Sequence, residues 1–117
     1  MEAEIKLEEI RLQNKAISIV YEASNLFKAY GLKPITTLTR KEGEIILRCV
    51  ASDKTPDNRI YLIAINYNQT KKEIGISAGY KDELTPEHLK VFPLQEHRKA
   101  RSYLTDLIRI VRMLRWR

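Results

Sequence analysis

The sequence predicts an α+β fold in one domain over residues 1–117: a long N-terminal helix, a four-stranded antiparallel sheet, a short helical turn and a basic C-terminal helix, both helices on one face of the sheet. Three patterns carry that expectation. Apolar residues recur at helical spacing from Glu2 to about Tyr30 with no Gly or Pro; the middle alternates apolar and polar residues between turn signals; and helical spacing returns after Leu94. At 117 residues, 44% of them hydrophobic and 31% charged, the chain has the size and composition of one soluble domain.

The first helix is stopped by Gly31 and Pro34. Stepping about 100° per residue puts Ile5, Leu12, Ala16, Ile19, Val20, Ala23, Leu26, Phe27 and Tyr30 on a broad face suited to covering a sheet. Opposite lies a narrower line, Leu7, Ile10, Asn14, Ile17 and Tyr21, with the alternating spacing of a coiled-coil seam. That seam predicts a homodimer interface.

Ile35–Arg40 and Glu44–Val50 read as strands flanking Lys41-Glu42-Gly43, where Gly tolerates the positive φ of a tight turn. Ala51–Asn58 reads as a polar loop, followed by strands Arg59–Tyr67 and Glu73–Ala78 around a second turn at Asn68–Lys72. Thr85-Pro86-Glu87-His88 has the N-cap and first-position Pro of a short helical turn, ended by Pro93. The last helix then runs from about Leu94 or Gln95 towards Arg115.

The net charge of +6 is concentrated at one end. His97 to Arg117 carries seven basic residues against one acid, Asp106, and so accounts for the whole excess. Such a distribution points to a polyanion, an acidic protein or an anionic surface. On the helical wheel Ala100, Tyr103, Leu104, Leu107, Ile108, Ile110, Val111 and Leu114 form an apolar half. Arg98, Arg101, Thr105, Arg109, Arg112 and Trp116 lie opposite, with Lys99 and Arg115 at the margins. Guanidinium forks match phosphate, and Trp116 is expected to stack on a base or a sugar ring.

The strand Arg59–Tyr67 is apolar on both faces, and helices cover only one. The second face is expected to bind another copy or to be covered by another part of the chain and, if Arg48 and Arg40 lie beside Tyr61 and Tyr67, to combine cations with aromatics as single-stranded nucleic-acid binders do. Cys49 reads as a core residue.

Catalytic chemistry finds no support. Cys49 is mid-strand, away from His88 and His97 in sequence, and the four Gly residues are too scattered to form a phosphate loop. Pro56-Asp57 before a strand invites comparison with PD-(D/E)xK nucleases, but Asn66-Tyr67-Asn68 stands where their second carboxylate belongs. No metal site and no cofactor is expected. The single Cys, the charged N-terminal stretch and the absence of a long apolar run predict a cytoplasmic protein with no signal peptide and no membrane partner.

The helix–strands–helix order with a basic start to the final helix resembles a double-stranded RNA-binding domain. His97-Arg98-Lys99-Ala100-Arg101 sits where that family carries its KKxAK cluster, implying a phosphate-facing group there. A fourth strand, a longer first helix, and Leu104-Thr105 in place of small alanines depart from the pattern. The expectation that follows is a non-enzymatic, DNA- or RNA-binding homodimer with single strands favoured; the alternative is an interaction module for an acidic protein surface.

Overall fold

The computed structural model describes residues 2–116, with side chains described from residue 14 onward. Two helices, α1 (Glu2–Ala29) and α2 (His97–Leu114), pack on one face of a five-stranded antiparallel sheet: β1 (Lys33–Lys41), β2 (Glu44–Lys54), β3 (Ile60–Asn68), β4 (Glu73–Tyr80) and β5 (His88–Pro93). The strands lie side by side in chain order, each joined to the next by a reversal of direction. A short 3₁₀ turn, Leu94–Glu96, leads into α2.

The fifth strand corrects the expected helical turn. His88-Leu89-Lys90-Val91-Phe92 alternates its faces, and the unpaired edge of β4 offers this short stretch a ladder that an isolated helical turn lacks. Pairing runs from Ala78 opposite His88 to Glu73 opposite Pro93. The other strands follow the sequence expectation, with β1, β2 and β4 longer and β3 shifted by one residue; β2 continues through Lys54 into what reads as a polar loop.

Local chemistry fixes the reversals. Gly31, at φ 80°, ends α1: its N–H bonds the Lys28 carbonyl at 2.9 Å while the Leu32 N–H reaches the Phe27 carbonyl at 3.0 Å. This is a Schellman cap, and buried Leu32 and Phe27 supply its apolar contact. Glu42 and Gly43, at φ 53° and 78°, form the two-residue turn between β1 and β2, whose twist matches that of the strands. Between β2 and β3 the Asn58 N–H bonds the Thr55 carbonyl at 2.9 Å and Asn58 adopts φ 65°. Buried Thr55 ties this loop together, accepting from the Arg59 N–H at 3.1 Å and donating to Asp57.

Register decides which side is core. Across β2, β3 and β4, Cys49, Ile65 and Ile76 form one row, and Ala51, Ile63 and Ala78 the next, all on the helix-covered face and all buried. Ala16, Val20, Ala23 and Phe27 of α1 and Leu104, Ile108 and Val111 of α2 close over them, making one continuous core. Burial raises the pKa of the Cys49 thiol, which suppresses its thiolate and suits a packing role. Ile110 and Leu114, assigned by the wheel to the apolar half, are exposed. The buried stripe of α2 is therefore narrower than half a turn.

Gly79 in β4 is required for packing. A Cβ there would lie 2.9 Å from Pro86 Cα and 3.2 Å from the Glu87 nitrogen, both backbone atoms of the loop that returns to β5. Gly79→Ala is expected to lower stability by about 2 kcal/mol in urea unfolding, as overpacking does. Gly75→Ala, facing open space, is the control and is expected to cost far less.

Candidate nucleic-acid interface

Amphipathicity orients α2, since burying Ala100, Leu104, Leu107, Ile108 and Val111 forces the remaining side of the helix outward. Arg98, Arg101, Arg109 and Arg112 are exposed there, spaced so that with Thr105 they form one stripe, and Lys99 is exposed beside them. From Arg98 to Arg112 the stripe runs about 21 Å at about 1.5 Å per residue, some six base-pair rises of about 3.4 Å.

The cations differ in how they are held. Arg109 donates its Nε–H to the Tyr30 hydroxyl at 3.2 Å, and Arg112 donates from Nη1 to the Tyr30 carbonyl at 2.8 Å while lying 5.6 Å from the centre of the Tyr30 ring. Neither contact neutralises charge; the bond to Tyr30 holds the Arg109 guanidinium even more firmly protonated. Each guanidinium has five N–H donors and spends one on Tyr30, leaving four. Arg101 meets Glu22 of α1 at 3.5 Å and Lys99 meets Glu96 at 3.5 Å, both exposed pairs of small energy. Arg98 has no partner among the described residues. With Ser102, Thr105 and Asp106, Arg98 and Arg101 line a shallow depression on the helix surface.

Tyr30 is the residue that the sequence pattern did not assign to the site. Periodicity puts it on the sheet-facing side of α1, and there it is half-buried, presenting its hydroxyl and carbonyl to α2. The only available signal was its position at the end of a helix, where free carbonyls attract cations.

Several expected site residues lie elsewhere. Arg115 forms a two-bond pair with Glu87, Nε to Oε1 at 3.3 Å and Nη2 to Oε2 at 3.1 Å, so its charge is compensated within the chain. Trp116 is not on the outer stripe: α2 ends at Leu114, the chain turns, and the indole is buried edge-on to Tyr61 with Nε1 donating to the Asp53 carbonyl at 3.2 Å. Tyr61 and Tyr67 are buried under the helices, because their parity on β3 matches Ile63 and Ile65. Arg48 projects from the opposite face of the sheet, level with Asn66 and Gly75. No aromatic side chain stands on that face among the described residues, so the expected stacking platform is not formed. Arg40 shares the helix side with Tyr67, at a groove that also includes Ile17 and Leu38.

Of the predicted α1 seam, Asn14, Ile17 and Tyr21 are solvent-exposed. Leu7 and Ile10 lie outside the residues whose side chains are described.

Beyond Arg115 the same end of the sheet holds a second ionic group. Arg59 bonds Asp82 at 3.0 Å and Glu83 at 2.9 Å with its guanidinium 3.8 Å from the Tyr80 ring centre. The Arg115 guanidinium, and then the Tyr61 hydroxyl, hold the Glu87 carboxyl below its ordinary pKa. A depressed carboxyl contributes stability that is present above its unfolded pKa of about 4.3 and disappears as pH falls through the folded value. The gap in melting temperature between wild type and Glu87→Gln is therefore expected to be open at pH 7 and to narrow as pH falls below the unfolded value of about 4.3.

Among the described residues no three His, Cys, Asp or Glu side chains gather as a metal-binding group, and no helix is long and apolar enough to cross a membrane. Comparison with protein-family models, with curated proteins and with solved structures finds no match to this chain.

Proposed function

We propose that this chain is a non-enzymatic, cytoplasmic nucleic-acid-binding protein whose α2 stripe grips the phosphate backbone. The observation that carries this reading is that Arg98, Arg101, Arg109 and Arg112 share one exposed line, two of them braced by Tyr30 without being neutralised. Lys99 adds charge at its edge. Braced guanidinium groups lose less freedom on meeting a phosphate than free ones do. With Tyr61, Tyr67 and Trp116 buried, contact is through phosphates more than through bases, and duplexes become as suitable as single strands.

Titration of short single- and double-stranded DNA and RNA against salt tests this. Four phosphate contacts are expected to give a log–log slope of about −3 to −4, steeper for duplexes. Absence of binding to all four nucleic acids at low salt ends the reading.

The second reading is an interaction module whose α2 stripe meets an acidic protein surface, favoured by the weak, exposed pairing of Arg101 with Glu22, which a partner's carboxylate could replace. It expects a defined protein complex that survives nuclease treatment and no salt-dependent affinity for nucleic acid.

A further inference from the structure

The face of the sheet opposite the helices is open except at Gly79, over which the Pro86–Glu87 backbone lies. Across its width, Ile35 of β1, Val50 of β2, Ala64 of β3, Ser77 of β4 and Leu89 of β5 stand at one level. The row is apolar except for one serine, and its two ends are the most exposed, Ile35 at 68% and Leu89 at 65%. Neighbouring Val91 is 54% exposed. Three residue levels about 6.8 Å apart cross all five strands, which lie about 4.8 Å apart, and with the partial levels at the strand ends they give a footprint on the order of 600 Å². With side-chain relief this approaches the roughly 800 Å² per partner of a stable interface.

We propose that a second copy of this chain covers this face, the two sheets packing as a sandwich about a two-fold axis that runs along β3. Such an axis sets β1 over the partner's β5 and β2 over its β4, level by level, and the side chains then complement one another. Ile35 meets Leu89, Val50 meets small Ser77, and Arg48 falls over Gly75, where the surface leaves open space.

At the centre of the face charge agrees with this arrangement, Lys33, Lys41 and Lys54 lying at the strand ends that bound it. Arg48 is a cation on the β2 side of the face, and Glu73 is an anion on the β4 side, two residues along from Gly75. The axis therefore joins Arg48 of each copy to Glu73 of the other, twice.

A further group on this face lacks a partner. The Oδ1 of Asn66, level with Arg48 on β3, is buried without a hydrogen bond. On the axis each Asn66 faces its own copy, and rotation of the amide allows the reciprocal pair that two amides form across a two-fold. Because the helices lie on the far side of each sheet, the two α2 stripes point away from each other. The interface thus stands or falls independently of the nucleic-acid reading.

Sedimentation velocity and light scattering at tens of micromolar are expected to give twice the 13.7 kDa chain mass. Leu89→Glu, at an exposed position, is expected to raise the dimer dissociation constant about 100-fold with an unchanged circular dichroism spectrum. Arg48→Glu is expected to dissociate the dimer, and Arg48→Glu with Glu73→Arg to restore it. A monomeric wild type overturns the proposal. So does a dimer that survives Leu89→Glu, one that Tyr21→Glu on α1 dissociates in its place, or a charge swap that fails to restore association.

Discussion

Trp116→Ala is expected to destabilise the fold by about 3 kcal/mol and to leave the nucleic-acid affinity of the folded protein within about twofold. The indole is 9% exposed, packs edge-to-face on Tyr61 with ring centres 5.9 Å apart, and its N–H satisfies the Asp53 carbonyl. Tyr61 in turn meets Tyr80 edge-on at 4.9 Å, so removing the indole opens a cavity beside an aromatic cluster and leaves a backbone carbonyl short of a donor. For a chain of this length the melting temperature should fall by about 10 °C. Trp116→Phe restores most of the volume but not the N–H, and is expected to fall between the two. A stacking role for Trp116 predicts the reverse, an unchanged melting temperature with affinity lost at about 1–3 kcal/mol per base. Calorimetry and titration on the same samples separate the two outcomes.

That contrast shows where the sequence informs and where it stops. The sheet-facing side of α1 is legible because a 3.6-residue period is local: Ala16, Ile19, Val20, Ala23 and Phe27 are buried as their spacing requires. Gly31 and the Glu42-Gly43 turn are legible because positive φ has few solutions. Residue parity on β3 is legible too, but its sign is not. With Ile, Leu and Ala on one side and Tyr and Ile on the other, only the packed helices decide that Tyr61 and Tyr67 are covered.

A helical wheel puts Trp116 on the outer stripe only if the helix continues past Leu114, where α2 ends. β5 is not legible locally because Thr85-Pro86 imitates a helix start, while pairing with β4 is a long-range effect that propensity does not contain. The Arg115–Glu87 pair links residues 28 apart, and the Tyr30 brace reaches 79 and 82 residues along the chain to Arg109 and Arg112. Periodicity carries no information about such partners. Counting charge located the basic helix, and only tertiary contacts separate its available guanidiniums from the compensated one.

Replacing Arg98, Arg101, Arg109 and Arg112 together by Gln is expected to lower nucleic-acid affinity by about 10³ at 0.1 M salt. Each duplex phosphate contact contributes about 0.9 to the log–log slope, so four lost contacts flatten it by about 3.6. At 0.1 M salt the same four contacts account for a little over three decades in the binding constant. Stability should change much less, because all four side chains are exposed and their bonds, to Tyr30 and Glu22, lie at the surface.

Net charge alone offers a competing cause, since a protein at +6 attracts any polyanion. Lys33, Lys41 and Lys54, exposed on strands β1 and β2, separate the two. Their register places them with Arg48 on the sheet face away from α2. Changing these three to Gln removes nearly as much charge, yet is expected to lower affinity less than tenfold and to keep most of the slope. Equal losses in the two variants would mean that attraction is diffuse and that α2 is no site. A loss confined to the arginine variant, growing as salt is lowered, is what an ordered line of phosphate contacts requires.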